Sequence, residues 1–81
     1  MSDRDKTIIK ALLQVLARMD QCDEMILFHS LSNYVSGLMM TEYRFALSYC
    51  DRESWLTGVK GKLDTNKWSV SDKGKAALAD M

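Results

Sequence analysis

The chain has no run of about 18 apolar residues, the length a membrane-spanning helix needs, so no segment of its sequence reads as a transmembrane helix. Its start, MSDRDK, lacks the apolar core of a secretion signal, and the expected location is the cytoplasm. Cysteine is scarce. Cys22 and Cys50 are too few and too far apart for a disulfide framework or a zinc site, and the expectation is two reduced, buried thiols. The single histidine, His29, has no second ligand at helical spacing and no identifiable partner group for metal or general-base chemistry. The stretch from Gly58 to Lys62 lacks the spacing and the following helix of a phosphate-binding loop. No spacing sets a serine or cysteine nucleophile beside a base. These absences argue against an enzyme and against a cofactor.

Repeats, low-complexity segments and Pro/Gly-rich linkers are also missing, so residues 1–81 are expected to form one domain. A domain this small buries only about 60–65% of the surface its unfolded chain exposes. A partner subunit would add stability, and a homodimer is expected.

What is present is a clear periodicity. Ile8, Leu12, Val15, Leu16 and Met19, widened by Ile9 and Leu13, predict a first helix over residues 3–19, with Ser2 or Asp3 as its cap. Asp20 to Asp23 read as a connection. Asp23 is the expected cap of a second helix over 24–36, with Met25, Leu27, Phe28, Leu31, Tyr34, Val35 and Leu38 on its apolar face. A short strand within Met25 to Phe28 is the alternative, because four consecutive apolar residues fit either element. Gly37 falls where a helix favours a left-handed residue just past its end. After Met39 and Met40, Thr41 is the expected cap of a third helix reaching Glu53. Tyr43, Phe45, Ala46, Leu47, Tyr49 and Cys50 cover an arc of about 200° on that helix, wider than docking onto one core requires. The surplus is either buried within the monomer or contributes to an interface through Phe45 and Tyr49, since aromatics are enriched at such surfaces.

A β-hairpin follows. Trp55, Leu56 and Val59 predict a strand at 55–60, residues 62–66 a polar turn, and the alternation at Trp68 and Val70 a strand at 67–70. The two tryptophans, at the hairpin's ends, are expected to be substantially buried. Ser71 or Asp72 caps a last short helix ending near Asp80, which Gly74 weakens by about 1 kcal/mol relative to alanine. Formal charge is zero overall but uneven. Lys60, Lys62, Lys67, Lys73 and Lys75 face only Asp64 and Asp72 between residues 55 and 75, which leaves the hairpin basic on a mildly acidic body.

Two helices joined by a short turn, then a hairpin opening on the bulky pair Trp55-Leu56 and closing on Val70, Ser71 and Lys73-Gly74, resemble the winged helix-turn-helix domain of transcription regulators. The resemblance implies an α+β fold with three helices, a two-stranded hairpin wing and a short C-terminal helix. It implies a third helix lying in the major groove of double-stranded DNA and a wing against the backbone. Carried over by position, the groove face is Arg44, Ser48 and Arg52, and the wing contacts are Lys60, Lys62 and Lys67. Arginine grips guanine edges and lysine neutralises phosphates, so the side-chain chemistry matches. Glu42, Asp51 and Glu53 outnumber the two arginines of the third helix. That balance keeps a second reading open, a winged-helix protein-interaction module that binds no nucleic acid.

Overall fold

A computed structural model of the chain describes residues 2–19, 21–60 and 66–81. The elements are α1 (Asp3–Arg18), β1 (Cys22–Asp23), α2 (Glu24–Ser32), α3 (Met40–Arg52), β2 (Leu56–Lys60), β3 (Asn66–Val70) and α4 (Asp72–Ala79). The sheet has three antiparallel strands in the order β1-β3-β2. This is the winged helix-turn-helix, with one strand beyond the expected hairpin.

α1 begins in a reciprocal cap. The Ser2 hydroxyl accepts from the Asp5 amide at 3.1 Å, and the Asp5 carboxylate accepts from the Ser2 amide at 3.4 Å. Ile8, Ile9, Leu12, Leu13 and Leu16 are all fully buried, together with Ala11 and Val15. So wide an apolar face lets α1 pack at once against α2, α3, α4 and β3, and it forms the centre of the core. Met19 falls outside the helix and is exposed.

β1 occupies part of the expected connection. Cys22 pairs with Trp68 and Asp23 with Lys67. Asp23 then caps α2, accepting from the Met25 amide at 2.9 Å. The helix stops at Ser32, four residues short of the expected end, because the amides of Asn33 and Tyr34 turn back to the carbonyls of Ser30 and Leu31. The Ser32 hydroxyl also donates to the Phe28 carbonyl at 2.8 Å, a local bond that competes with helix continuation. Val35 is buried from this turn rather than from a helix, while Met25 and Tyr34, expected on the apolar face, are exposed.

Gly37 is left-handed, with φ of +68°, as its position predicts. It lies in the connection to α3 and not directly behind α2. α3 is not capped by Thr41: the helix starts at Met40, and the Glu42 carboxylate accepts from the Met39 amide at 3.0 Å. Tyr43, Ala46, Leu47 and Cys50 form its buried side. The Tyr43 ring lies 5.2 Å from that of Phe28, inclined to it at 60°, and its hydroxyl donates to the Glu24 carbonyl at 2.7 Å, which joins α3 to the start of α2. Burial raises the Tyr43 phenol well above its ordinary value and pushes the Cys50 thiol up to about 12.

Ser54, in the left-handed region at φ of +63°, ends α3 and lets the Trp55 amide donate to the Cys50 carbonyl at 2.9 Å. In the hairpin, Leu56 pairs with Val70 and Gly58 with Trp68. A Cβ on Gly58 would come within 2.8 Å of the Trp68 ring, so the missing side chain makes room for the indole. Trp55 and Trp68 are half-buried against the core rather than enclosed by it. Ser71 is the junction of the last turn. Its amide donates to the Trp55 carbonyl at 2.9 Å, and its hydroxyl donates to the Ser54 carbonyl at 2.6 Å and accepts from the Gly74 amide at 3.0 Å.

Candidate nucleic-acid interface

The helix-turn-helix is held from outside by α1. The Arg4 guanidinium pairs with both oxygens of Glu42, at 2.5 and 3.1 Å, and donates to the carbonyls of Ser36 and Gly37 at 3.2 Å each. One planar side chain therefore joins the first turn of α1, the turn after α2 and the first turn of α3. The same contact, with the Met39 amide, holds the Glu42 carboxyl below its ordinary value of 4.5.

Opposite its buried side, α3 presents Arg44, Ser48 and Arg52 to solvent, as the four-residue spacing requires. The Cα atoms of Arg44 and Arg52 lie about 12 Å apart along the axis, at 1.5 Å per residue. Their surroundings differ. Arg44 and Ser48 line a cleft of about 370 Å³ with Glu24, Asp51, Leu47 and Trp68. Arg52 lies over the Tyr49 ring, 5.7 Å from its centroid. Phe45 is 46% exposed, with its ring 6.4 Å from that of Tyr49, and Tyr49 in turn meets Trp55 edge-on at 5.8 Å. An aromatic row thus runs beside the arginines on the outward side of the helix.

On the wing, Lys67 is exposed, opposite Val59 of β2 and Asp23 of β1. Lys60 belongs to β2 by its backbone. Its side chain, like the whole of Lys62, lies outside the described residues. The structure therefore brings Arg44 and Ser48 into one cleft, sets Arg52 on the aromatic row, and places Lys67 on the hairpin.

Two carboxylates in the Arg44 cleft escaped the sequence reading as neighbours of that arginine. Asp51 shares the polar stripe of α3 and was legible as such. Glu24 comes from another helix, and no spacing within α3 points to it. The cleft also borders the Trp68 indole, whose Nε1 is buried without a hydrogen-bond partner among the described residues. Among the described residues no group of three or more His, Cys, Asp or Glu is arranged to hold a metal ion, and no helix is long and apolar enough to cross a membrane.

No family model matches the chain, and no curated protein matches it. Solved structures do. H. salinarum RosR superposes with a TM-score of 0.79 at 16% identity, over 90% of this chain and 66% of that one. The PcaV transcriptional regulator of Streptomyces coelicolor, crystallised with its natural ligand, gives 0.73 at 18% identity, over 88% of this chain and 48% of that one. TA0346 of Thermoplasma acidophilum gives 0.76 at 14%, over 94% of this chain and 77% of that one. At these identities the likeness establishes the winged-helix fold. The chain spans about two thirds of the length of RosR and about half that of PcaV.

Proposed function

We propose that this chain is a DNA-binding winged-helix regulator rather than an enzyme, acting as a dimer on double-stranded DNA. The observation that carries the proposal is the outward side of α3, where Arg44, Ser48 and Arg52 are all free to solvent in a fold that regulators such as PcaV share. In this reading Arg44 and Arg52 reach base edges, Ser48 accepts or donates between them, and Lys67 neutralises phosphate, with Lys60 and Lys62 as further wing contacts. A dimer that leaves α3 free for the duplex needs other apolar surface. Met25 and Ile26, adjacent on α2 and 52% and 56% exposed, supply it.

One observation favours the second reading, a protein-interaction module. Arg52 rests over the Tyr49 ring, and exposed Phe45 lies next to that ring on α3, so a partner docked through Phe45 and Tyr49 would cover that arginine. The two readings therefore compete for one surface and are separable. Fluorescence anisotropy with duplex DNA at about 50 mM salt, where charge contacts are weakly screened, should show binding. Arg44→Ala should cost about 1–3 kcal/mol on a preferred site and little on random sequence. Lys67→Ala should weaken all sequences alike and lower the slope of log affinity against log salt by about 0.9. Absence of binding to any duplex at that salt would refute the DNA reading and leave Phe45 and Tyr49 as the functional surface.

A further inference from the structure

We infer that Phe45 reads the C5 methyl group of a thymine in the major groove, an inference that rests on α3 binding DNA and names a base it selects there. Phe45 is the one large apolar side chain of α3 left exposed, at 46%. Tyr43, Ala46, Leu47 and Cys50 define the inward direction of the helix. At 100° per residue, the side chains within about 30° of the opposite direction are those of Thr41, Phe45, Ser48 and Arg52. Arg44 lies further round, toward the cleft it shares with Glu24 and Trp68. Phe45 thus stands on the crest of α3, where a helix laid in the groove comes nearest the bases, and not on a flank.

The functional groups that base pairs show in the major groove are hydrogen-bond donors and acceptors, with one exception, the methyl group on C5 of thymine. A phenyl ring makes no hydrogen bond. Set against a guanine, adenine or cytosine edge, it would strip water from polar groups and return nothing, which is costly. Against thymine it exchanges water for a methyl contact. The neighbours of Phe45 on the crest, Thr41, Ser48 and Arg52, are all polar and exposed. The apolar surface there is therefore about the size of one ring. A stable protein interface needs about 800 Å² from each partner, whereas one ring is enough to cover a methyl group.

Tyr49 fixes the ring relative to Arg52. The Phe45 ring lies 6.4 Å from the Tyr49 ring, and the Arg52 guanidinium carbon 5.7 Å from the same centroid. Tyr49 is itself half-buried and meets Trp55 edge-on at 5.8 Å. Both reading groups rest on one held ring, so the guanine gripped by Arg52 and the thymine met by Phe45 are expected in the same half-site.

The test uses a duplex site selected by the full chain from a random pool, with each thymine replaced in turn by uracil, which differs only in lacking the methyl group. Anisotropy titrations should show one thymine per half-site where uracil weakens binding about fourfold, the value of one methyl group removed from water. At that position Phe45→Ala should bind thymine and uracil equally. Phe45 is exposed, and an unaltered thermal melt checks that the variant folds. The uracil scan on the parent chain is decisive without the variant. A selected site with no thymine, indifference to uracil at every position, or a uracil penalty that survives in Phe45→Ala would overturn the inference. Any of these together with weaker binding by Arg44→Ala would leave the DNA reading standing. Absence of binding to any duplex would overturn both.

Discussion

In an exposed helix, Gly→Ala stabilises by about 0.8–1 kcal/mol, because alanine gives up less backbone freedom on folding. At Gly74 the opposite sign is expected. A Cβ there would lie 2.2 Å from the Trp55 carbonyl oxygen, 2.8 Å from Val70 Cγ2 and 3.0 Å from the Trp55 carbonyl carbon. Carbon and carbonyl oxygen come no closer than about 3.3 Å in ordinary contact, so α4 would have to retreat by about 1 Å. The Trp55 carbonyl cannot simply yield, because it accepts the 2.9 Å bond from the Ser71 amide, and Ser71 is the cap of α4. Overpacking of this kind costs about 1–3 kcal/mol, and losing the Ser71 bond adds about 1 kcal/mol. After the propensity gain, Gly74→Ala should destabilise by about 1–3 kcal/mol, against a total of about 4–12 kcal/mol for a domain of this length. Urea unfolding measures the difference directly, and thermal melting should fall by about 5–20 °C at the usual sensitivity of small domains. Gly37→Ala is the control: its φ of +68° is unfavourable to alanine but nothing lies within 4 Å, so the cost should stay near the conformational term of about 1 kcal/mol. A Gly74→Ala variant as stable as the parent, or more so, would refute the steric argument.

Trp68→Phe removes the buried, unpartnered Nε1–H while keeping a ring over Gly58, so equilibrium unfolding should show a cost well below the 3–5 kcal/mol typical of losing a buried tryptophan to alanine. The Cys50 thiol, pushed up to about 12 by burial, should react with a thiol reagent at neutral pH only as fast as the domain opens, and adding urea should release it. The Glu42 carboxyl is held below 4.5 by Arg4, so its stabilising contribution is complete above that pH and lost as pH falls through the lower folded value. Urea midpoints of the parent and Glu42→Gln should therefore differ at pH 7 and converge in the acid limb, and a gap unchanged by acid would contradict the ion-pair account.

The fold was legible where one element carries a complete signal. The stripe from Ile8 to Leu16, the caps at Ser2, Asp23 and Ser71, and the alternation at Trp68 and Val70 each specify their element locally. It was less legible where a distant residue decides. The pairing of Cys22 with Trp68 leaves no periodicity in two residues, so β1 read as a connection. The end of α2 was overextended because Val35 keeps helical spacing while being buried from a turn. Thr41 was a reasonable cap by type, but Glu42 reaches back to Met39 and moves the cap of α3 two residues earlier. In the candidate interface the outward direction of Arg44, Ser48 and Arg52 follows from helix geometry alone. The Glu24 carboxylate in the Arg44 cleft does not, and neither does the position of Arg52 over Tyr49, which depends on side-chain conformation rather than sequence spacing.

The strap that β1 lays along β3 bears on how the wing is assembled. The β2–β3 hairpin joins near neighbours and can close in about 1–10 μs. Cys22 must find Trp68 across more than half the length of the chain, and the entropy of that closure is met by a seam only two residues long. Loop-closure entropy therefore predicts that the seam forms late in folding, and hydrogen-exchange labelling during refolding should show the β1–β3 amides protected after those of the hairpin. A fragment beginning at Met40 would lack both the α1 core and the strand that ties the hairpin to the helices. The direction in which the wing points is thus set by the first third of the chain, although none of those residues belongs to the wing.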